Sequence, residues 1–375
     1  MRIRIAPLSR ELLPAARALN ARLGPGAPFF LPEKLSSWPA APASNSCAIS
    51  AISWTHCVAL EDGEQGAEAR GGFLLMDQPA WVAGETRAAS NSQSMLSEGL
   101  RDRRYGMVSL HMLKYIEQRS PYAFMVGMGN AQNPLPRLLR AAGWTLRPVP
   151  FFFRVYHARN FLREMRLLRQ NRFRRMVARV AALSGVGRMG IRLLQARPAA
   201  GALRGVSVDP VTSWGPWADE FWERYRTECS FAVVRDRSTL DLLYPLAAER
   251  LTVALIRQGT APRGWAVWLN TAMHNDQYFG NLRVATILDC VAAPGFAELC
   301  ARALARYLEQ SGADLAIANH SHFLWTLAFR KAGFLRSPSN YLLATSKPLS
   351  AAILAGGGEQ RIHLTRGDGD GRIHL

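Results

Sequence analysis

The apolar positions along this chain switch repeatedly between a period of two and a period of about three and a half residues, and the switches mark its elements. Ile3-Arg-Ile-Ala alternates and predicts a short strand, and Glu11 to Leu23 carries the helical period. Cys47 to Leu60 and Arg70 to Met76 read as extended, with the acidic, glycine-containing EDGEQG between them as a hairpin loop. A strand ends in Ser92-Gln-Ser-Met-Leu-Ser-Glu-Gly, and a long helix runs through Ser109-Leu-His-Met-Leu-Lys-Tyr-Ile. Tyr122-Ala-Phe-Met-Val-Gly-Met-Gly reads as a buried strand. A helix over Pro136 to Ala142 stops at Gly143-Trp144, and Pro150-Phe-Phe-Phe-Arg-Val-Tyr is a strand again.

The same order then returns. Val206-Ser-Val predicts a strand and Trp217 to Arg226 a helix; Leu251–Ile256 and Gly264–Leu269 predict two strands. Val284 to Val291 is an apolar strand, Phe296 to Gln310 a helix, and Ala313-Asp-Leu-Ala-Ile-Ala-Asn a buried strand. A helix closes at Gly333-Phe334, and Tyr341-Leu-Leu-Ala-Thr follows as the last strand. The repeat predicts two α/β lobes over 1–157 and 206–347, each a mixed α+β sheet flanked by helices. A basic helical linker, 158–205, joins them, and an Ala/Gly-rich tail, 348–375, reads as flexible.

Composition agrees. A chain of 375 residues exceeds the ~250–300 at which one core stops growing. No run of eighteen uncharged apolar residues exists, and the N-terminus lacks the apolar core of a secretory signal, so a cytoplasmic location is expected. Five cysteines without a C-x-x-C predict neither a disulfide framework nor a zinc site, and no metal is expected. The net charge of +18 is uneven: 158–205 hold twelve arginines and one acid, Glu164. Phe161, Met165, Leu168, Met176, Val180 and Leu183 fall there at helical spacing, which suits packing between lobes, an anionic membrane surface or nucleic acid.

The stretch that carries chemistry is Leu96-Ser-Glu-Gly-Leu-Arg-Asp-Arg-Arg-Tyr-Gly-Met-Val-Ser. A strand ends, a turn carries Arg101, Asp102, Arg103 and Arg104, and a helix begins near Gly106. A helix start presents unpaired N–H groups to an anion, glycine lets a phosphate approach, and paired arginines grip its oxygens.

Here the chain resembles the GNAT superfamily of acyl-CoA-dependent acyltransferases, whose pyrophosphate loop reads Arg/Gln-x-x-Gly-x-Gly/Ala between a strand and a long helix. Arg103-Arg-Tyr-Gly106-Met-Val108 matches, with Val108 where the family has a small residue. The strand through Asn130 and the endings at Gly143-Trp144 and Gly333-Phe334 extend the likeness over about 1–157 and 206–347. The resemblance implies acetyl-CoA or another acyl-CoA as co-substrate, held by Arg103, Arg104, Tyr105, Gly106, Met107, Val108 and Asn130. It implies Glu98 as general base with Ser97 beside it, and N–H groups near Met95–Ser97 against the thioester carbonyl. Leu139 and Phe329 occupy the place of the family's proton-donating tyrosine. Two-lobed relatives include Fem-type transferases, which take aminoacyl-tRNA.

The equivalent turn of the second half, Asp289-Cys-Val-Ala-Ala-Pro-Gly295, has no basic residue, so that lobe reads as a scaffold or acceptor side. Asp289, His320, His322 and Arg235 are its candidate substrate contacts. His320 and His322 also suit a cap of the next helix, and Arg235-Asp236 also suits a surface ion pair. The aromatic set Trp214, Trp217, Phe221, Trp222 and Tyr225 has core spacing. Three readings stand: acyl transfer from acyl-CoA to a small-molecule or saccharide amine, such as a cell-envelope precursor; Fem-type transfer from aminoacyl-tRNA; and a non-catalytic binding protein on the same fold.

Overall fold

The computed structural model describes residues 2–27, 29–35, 52–63, 66–166, 186–196, 203–248 and 250–369. The first half of the chain supplies strands β1 (Ile3–Pro7), β2 (Ser53–Gly63), β3 (Gly66–Val82), β4 (Glu85–Ser97), β5 (Ala123–Gly127), β6 (Thr145–Pro148) and β7 (Phe151–Val155). Its helices are α1 (Leu13–Leu23), α2 (Val108–Arg119) and α3 (Pro134–Ala141), followed by α4 (Ala158–Glu164) and α5 (Val186–Gln195). The second half supplies β8 (Val206–Pro210), β9 (Phe231–Val233), β10 (Leu251–Gln258), β11 (Ala261–Ala272), β12 (Arg283–Ala292), β13 (Leu315–Asn319), β14 (Leu335–Ser337), β15 (Leu342–Thr345) and β16 (Ile362–His363). Its helices are α6 (Trp217–Tyr225), α7 (Arg237–Leu243), α8 (Ala297–Gln310), α9 (Phe323–Lys331) and α10 (Lys347–Ala355).

The chain forms two units, Met1–Arg147 with Leu342–Gly356, and Pro148–Tyr341 with Gly357–Leu375. Neither the expected boundary at 157 nor that at 347 coincides with this division. The main sheet of the first unit runs β1-β2-β3-β4-β5-β15-β6, and that of the second runs β8-β10-β11-β12-β13-β7-β14. The sixth place of each sheet is filled by a strand from the other half of the sequence, β15 in the first and β7 in the second. Alternation shows that a strand exists, but not which edge it joins.

Within the first unit, β3 outruns the expected Arg70–Met76 and runs on through Asp77, Gln78 and Pro79. Asp77 accepts hydrogen bonds from Ser90 Oγ (2.5 Å) and Arg119 Nη2 (2.7 Å), so the strand continues buried. Ala83 and Gly84, both at positive φ, close its hairpin with β4 as a type I′ turn requires. One sheet face packs Phe73, Leu75 and Met125 against Met112, Leu113 and Ile116 of α2 and Leu139 of α3. The other packs Val58, Leu60 and Leu96 against Ala16, Leu19 and Leu23 of α1. Each of these Val, Leu, Ile, Phe and Met side chains contributes about 1.5–3 kcal/mol when fully buried.

The two sheets repeat one detail atom by atom. Gly71 pairs with Ser97, the last residue of β4, and a Cβ there would lie 2.8 Å from the Leu96 carbonyl and 3.0 Å from Val108 Cγ1. Gly264 pairs with Ala292, the last residue of β12, and its Cβ would lie 2.6 Å from the Val291 carbonyl and 2.7 Å from Cys300 Sγ. Each glycine makes room for a side chain of the next helix.

The tail is a correction. Residues 347–355 are helical, and Ile362–His363 pairs in parallel with Phe231–Ala232, so the tail is structured through 369 and mostly buried over 362–369. Of the linker, α4 and α5 are helical, while Leu168, Met176, Val180 and Leu183 lie outside the described residues. Cys57, Cys229, Cys290 and Cys300 are free and buried; Cys47 lies outside the described residues. No helix among the described residues is long and apolar enough to cross a membrane.

Candidate functional site

In the first unit, β4 and β5 run parallel but pair only at Ser90 with Ala123 and Asn91 with Phe124. Beyond that they part. The cause is a bulge: Ser94 and Met95 stand opposite Phe73 alone, and Ser94 takes a left-handed φ of 51°. A bulge bends the strand that carries it. At the end of β5, Gly127, Met128 and Gly129 all have positive φ, and Asn133 Nδ2 donates to the Met128 carbonyl at 3.2 Å. Backbone strain of this kind at a non-glycine residue collects at functional sites.

Two polar side chains stand where the ladder ends. Ser92 and Gln93 are buried, and among the described residues no group hydrogen-bonds to Ser92 Oγ or Gln93 Nε2. An unsatisfied buried polar group costs about 1–3 kcal/mol, which asks for a ligand or water to offset it. Sequence reasoning missed both. The signal was the polar run Ser90-Asn-Ser-Gln-Ser94 inside a central strand.

The loop after β4 is built from its own side chains. Ser97 Oγ accepts from the Gly99 N–H (3.1 Å) and Asp102 Oδ1 from the Arg104 N–H (3.0 Å), each fixing a short 3-10 turn. Arg104 closes back on Asp102 with Nη2 at 2.6 Å, and that side-chain bond holds the Asp102 carboxyl below its usual range. Arg101 donates to the Leu23 carbonyl at 2.9 Å. Arg103 is exposed, and among the described residues its side chain makes no hydrogen bond or ion pair, which leaves it to meet an anion. Tyr105 lies under the Arg70 guanidinium, 4.3 Å from ring centre. Gly106 and Met107 are exposed, Met107 precedes α2 without a side-chain cap, and the first N–H groups of the helix have no partner within it.

Val108 stands where the resembled loop has a small residue. It is fully buried and points into the core over Gly71, so the bulk is housed beneath the helix start. Glu98 sits in a clamp: Oε1 accepts from Arg22 Nε (2.7 Å), and Oε2 accepts from Arg22 Nη2 (3.2 Å) and Arg70 Nη1 (3.1 Å). Asn130 is exposed and folds its side chain onto the Gln132 N–H at 3.0 Å. Leu139 and Phe329 are core residues. A small groove lies beside the end of β4, lined by Leu23, Ala27, Leu96, Ser97, Leu100 and Arg101.

The second unit brings Arg235, Asp289 and His320 into one closed cluster. Its strands β12 and β13 pair in parallel from Val284 to Ile287, and one extra residue, Leu288, bulges β12 next to Asp289. The tail crosses the opening that follows. Thr365 bridges to His320, the Ser321 N–H donates to the Leu364 carbonyl (3.0 Å), and His363 Nε2 meets Asp289 Oδ1 (3.2 Å). Arg235, expected at the surface, is fully buried; it donates to Asp289 Oδ2 (2.8 Å) and to Asp368 Oδ1 (2.7 Å). Tyr244 donates to Asp289 Oδ2 at 2.9 Å. With His363 Nε2–H on Asp289, its Nδ1 accepts from the Tyr225 hydroxyl at 2.9 Å.

Burial and its histidine neighbours push the His320 pKa well below its ordinary value; burial and Arg235 do the same to His363. His322 caps α9 through the Leu324 N–H, donates from Nε2 to the Glu228 carbonyl, and is lowered by burial. Of the aromatic set, Trp214, Phe221, Trp222 and Tyr225 are core, with Trp217 half-buried beside Trp214. Among the described residues no group of histidine, cysteine and carboxylates is placed to hold a metal.

No family model matches the sequence, and no curated protein is significantly similar to it in sequence. Solved structures are similar in fold. A protein of unknown function from Enterococcus faecalis V583, described as a probable N-acyltransferase, matches with TM-score 0.50 and 9% identity over 93% of this chain and 74% of that one. A GCN5-related N-acetyltransferase from Anabaena variabilis ATCC 29413 matches with TM-score 0.49 and 12% identity, over 92% and 72%. The N-myristoyltransferase of Saccharomyces cerevisiae, solved with bound myristoyl-CoA, matches with TM-score 0.44 and 11% identity, over 92% and 80%. At these identities the likeness is one of fold alone: the two-lobed α/β architecture expected from the sequence, each lobe a mixed sheet flanked by helices.

Proposed function

We propose that the chain is an N-acyltransferase whose first unit takes a CoA-type thioester into the gap between β4 and β5 and passes its acyl group to an amine. The observation that carries this reading is the early end of the β4–β5 ladder, directly before the loop that opens α2. Such a thioester is a long arm with amide groups and a diphosphate head. The facing edges of Gln93–Ser97 and Met125–Gly127 offer N–H and C=O groups to the amides, as an added strand does. The diphosphate falls to Arg103, Gly106 and the first N–H groups of α2.

Transfer forms a bond from the amine nitrogen to the acyl carbon and breaks the carbon–sulfur bond. The amine gives up a proton and the departing thiolate takes one. Gln93 Nε2 and the N–H groups of the Ser94–Met95 bulge are the donors for the oxyanion. Glu98, with both oxygens held by arginines, acts here as a positioning residue that ties α1 and β3 to the loop, and a water carries the proton. A small-molecule or saccharide amine approaches along the groove beside Ser97.

The clamped Glu98 and the leucine at 139 favour a second reading, a protein that binds the thioester and does not turn it over. The aminoacyl-tRNA reading rests on the basic segment, most of which lies outside the described residues.

Thermal unfolding with and without acetyl-CoA and longer acyl-CoAs tests the site. A ligand of the native state at a hundred times its Kd adds about 2.7 kcal/mol. Arg103→Glu should abolish that rise and leave the free protein's midpoint unchanged. No rise with any acyl-CoA overturns the proposal. A rise without thiol release across a panel of amines selects the non-catalytic reading, and stabilisation by tRNA alone selects the Fem-type one.

A further inference from the structure

We propose that the outer face of α5 seats on an anionic lipid bilayer. The helix is held by one stripe. Gln195 Nε2 donates to the Val155 carbonyl (2.9 Å) and its Oε1 accepts from the Val155 N–H (2.8 Å), which satisfies the edge of β7 beyond β14. Ile191, one turn earlier, packs against the core cluster that contains Val155, Leu315 and Ile317. The opposite side of the helix carries Met189 and Leu193, four apart and therefore on one ridge. They are 62% and 70% exposed, and Leu194 beside them is 62% exposed. Arg188 and Arg192, both exposed, flank the ridge.

The surroundings are cationic. Helix α4 touches α5 and adds exposed Arg159, Arg163 and Arg166 against one acid, Glu164, whose oxygens are taken by Arg163 and Asn281. The stretch 158–205 holds twelve arginines in all.

Three occupants compete for such a face, and its chemistry selects among them. Nucleic acid takes the arginines but gains little from aliphatic side chains, since base stacking needs aromatic ones. A second copy covers the ridge but sets its own arginines against these. A bilayer with anionic headgroups takes both: arginines among the phosphates, Met189 and Leu193 at the acyl boundary. The inference is independent of the acyl-transfer reading.

Flotation of the full chain with vesicles of phosphatidylglycerol and phosphatidylcholine, and of phosphatidylcholine alone, tests it. The wild type should float with the anionic vesicles only. Met189→Glu/Leu193→Glu should bind about tenfold or more weakly, because two buried aliphatic side chains are exchanged for charge. Its unfolding midpoint should not move, since both positions are exposed. Met189→Leu/Leu193→Met should bind as the wild type does, and Arg188→Gln/Arg192→Gln should flatten the salt dependence. Absence of flotation overturns the proposal, as does equal flotation of the double glutamate variant. Binding to RNA that the double glutamate variant retains, with no flotation, overturns it in favour of nucleic acid.

Discussion

The two sheets of this protein part at the same place and are treated differently there. In the second unit the gap between β12 and β13 is crossed by the chain's own tail, which brings His363 to Asp289 and Asp368 to Arg235. In the first, the ladder between β4 and β5 stops after two pairs, and among the described residues of that unit no segment pairs across. Both bulged strands carry one extra residue, and both lean on a glycine of the neighbouring strand. The gap is thus a property of the fold, while the capacity to take a ligand depends on what fills it. The charges follow the same division: the loop of the first unit keeps Arg103 at the surface, whereas the second unit spends Arg235 on holding its tail.

The largest effect tests whether that tail is held by charge. Arg235→Met leaves Asp289 and Asp368 buried without their cation, and breaking a buried pair costs about 3–5 kcal/mol. Urea unfolding should show that loss in the second unit. Adding Asp289→Asn and Asp368→Asn to Arg235→Met should recover part of it, because no charge then stays unpaired. A loss below about 1 kcal/mol breaks the comparison, since the cluster would then not be what closes the second gap.

Acid probes the same closure more gently. Burial first, and positive or titratable neighbours next, lower the pKa values of His320 and His363; burial lowers that of His322. The folded state therefore keeps these rings neutral at pH values where the unfolded chain, with histidine near about 6.5, takes up protons. The sign follows: stability is full above about pH 6.5 and falls as the pH drops below it, by up to about 1.4 kcal/mol per pH unit for each ring. Urea midpoints taken at several pH values from neutral down to about 5 should slope accordingly, and His363→Asn should remove one ring's share. A flat profile would show that water already reaches the cluster.

How much of this was legible in the sequence depends on how far apart the partners lie. Strand and helix order follow from local period, and the phosphate-type loop follows from Arg103, Gly106 and the helix behind them. Local pattern cannot show that β7 and β15 trade sheets, because a strand carries no mark of its neighbour. Nor could it show Arg235 in the core: its partners stand 54 and 133 residues away, in β12 and in a tail whose glycines read as flexible. Glu98 is similar. Its place after β4 suggested a base, but the arginines that occupy it come from α1 and β3, 76 and 28 residues distant. Val108 shows a local limit of the same kind. Its size was visible, whereas the direction of its side chain depends on the glycine at 71.

That glycine gives the smallest and most selective test. Gly71→Ala presses a methyl against the Leu96 carbonyl and Val108 Cγ1, at the first turn of α2. Gly264→Ala presses one against the Val291 carbonyl and Cys300 Sγ, in α8. Overpacking of this kind costs about 1–3 kcal/mol, so both variants should lose a similar amount of stability. They should differ in ligand response. Gly71→Ala shifts the N–H groups proposed to face the diphosphate, so the acyl-CoA-induced rise in unfolding temperature should shrink, and Val108→Ala should restore part of it. Gly264→Ala disturbs only a gap that the tail already fills, so the rise should persist at full size. If both variants lowered it equally, the ligand would not be distinguishing the two gaps, and the assignment of binding to the first unit would fail.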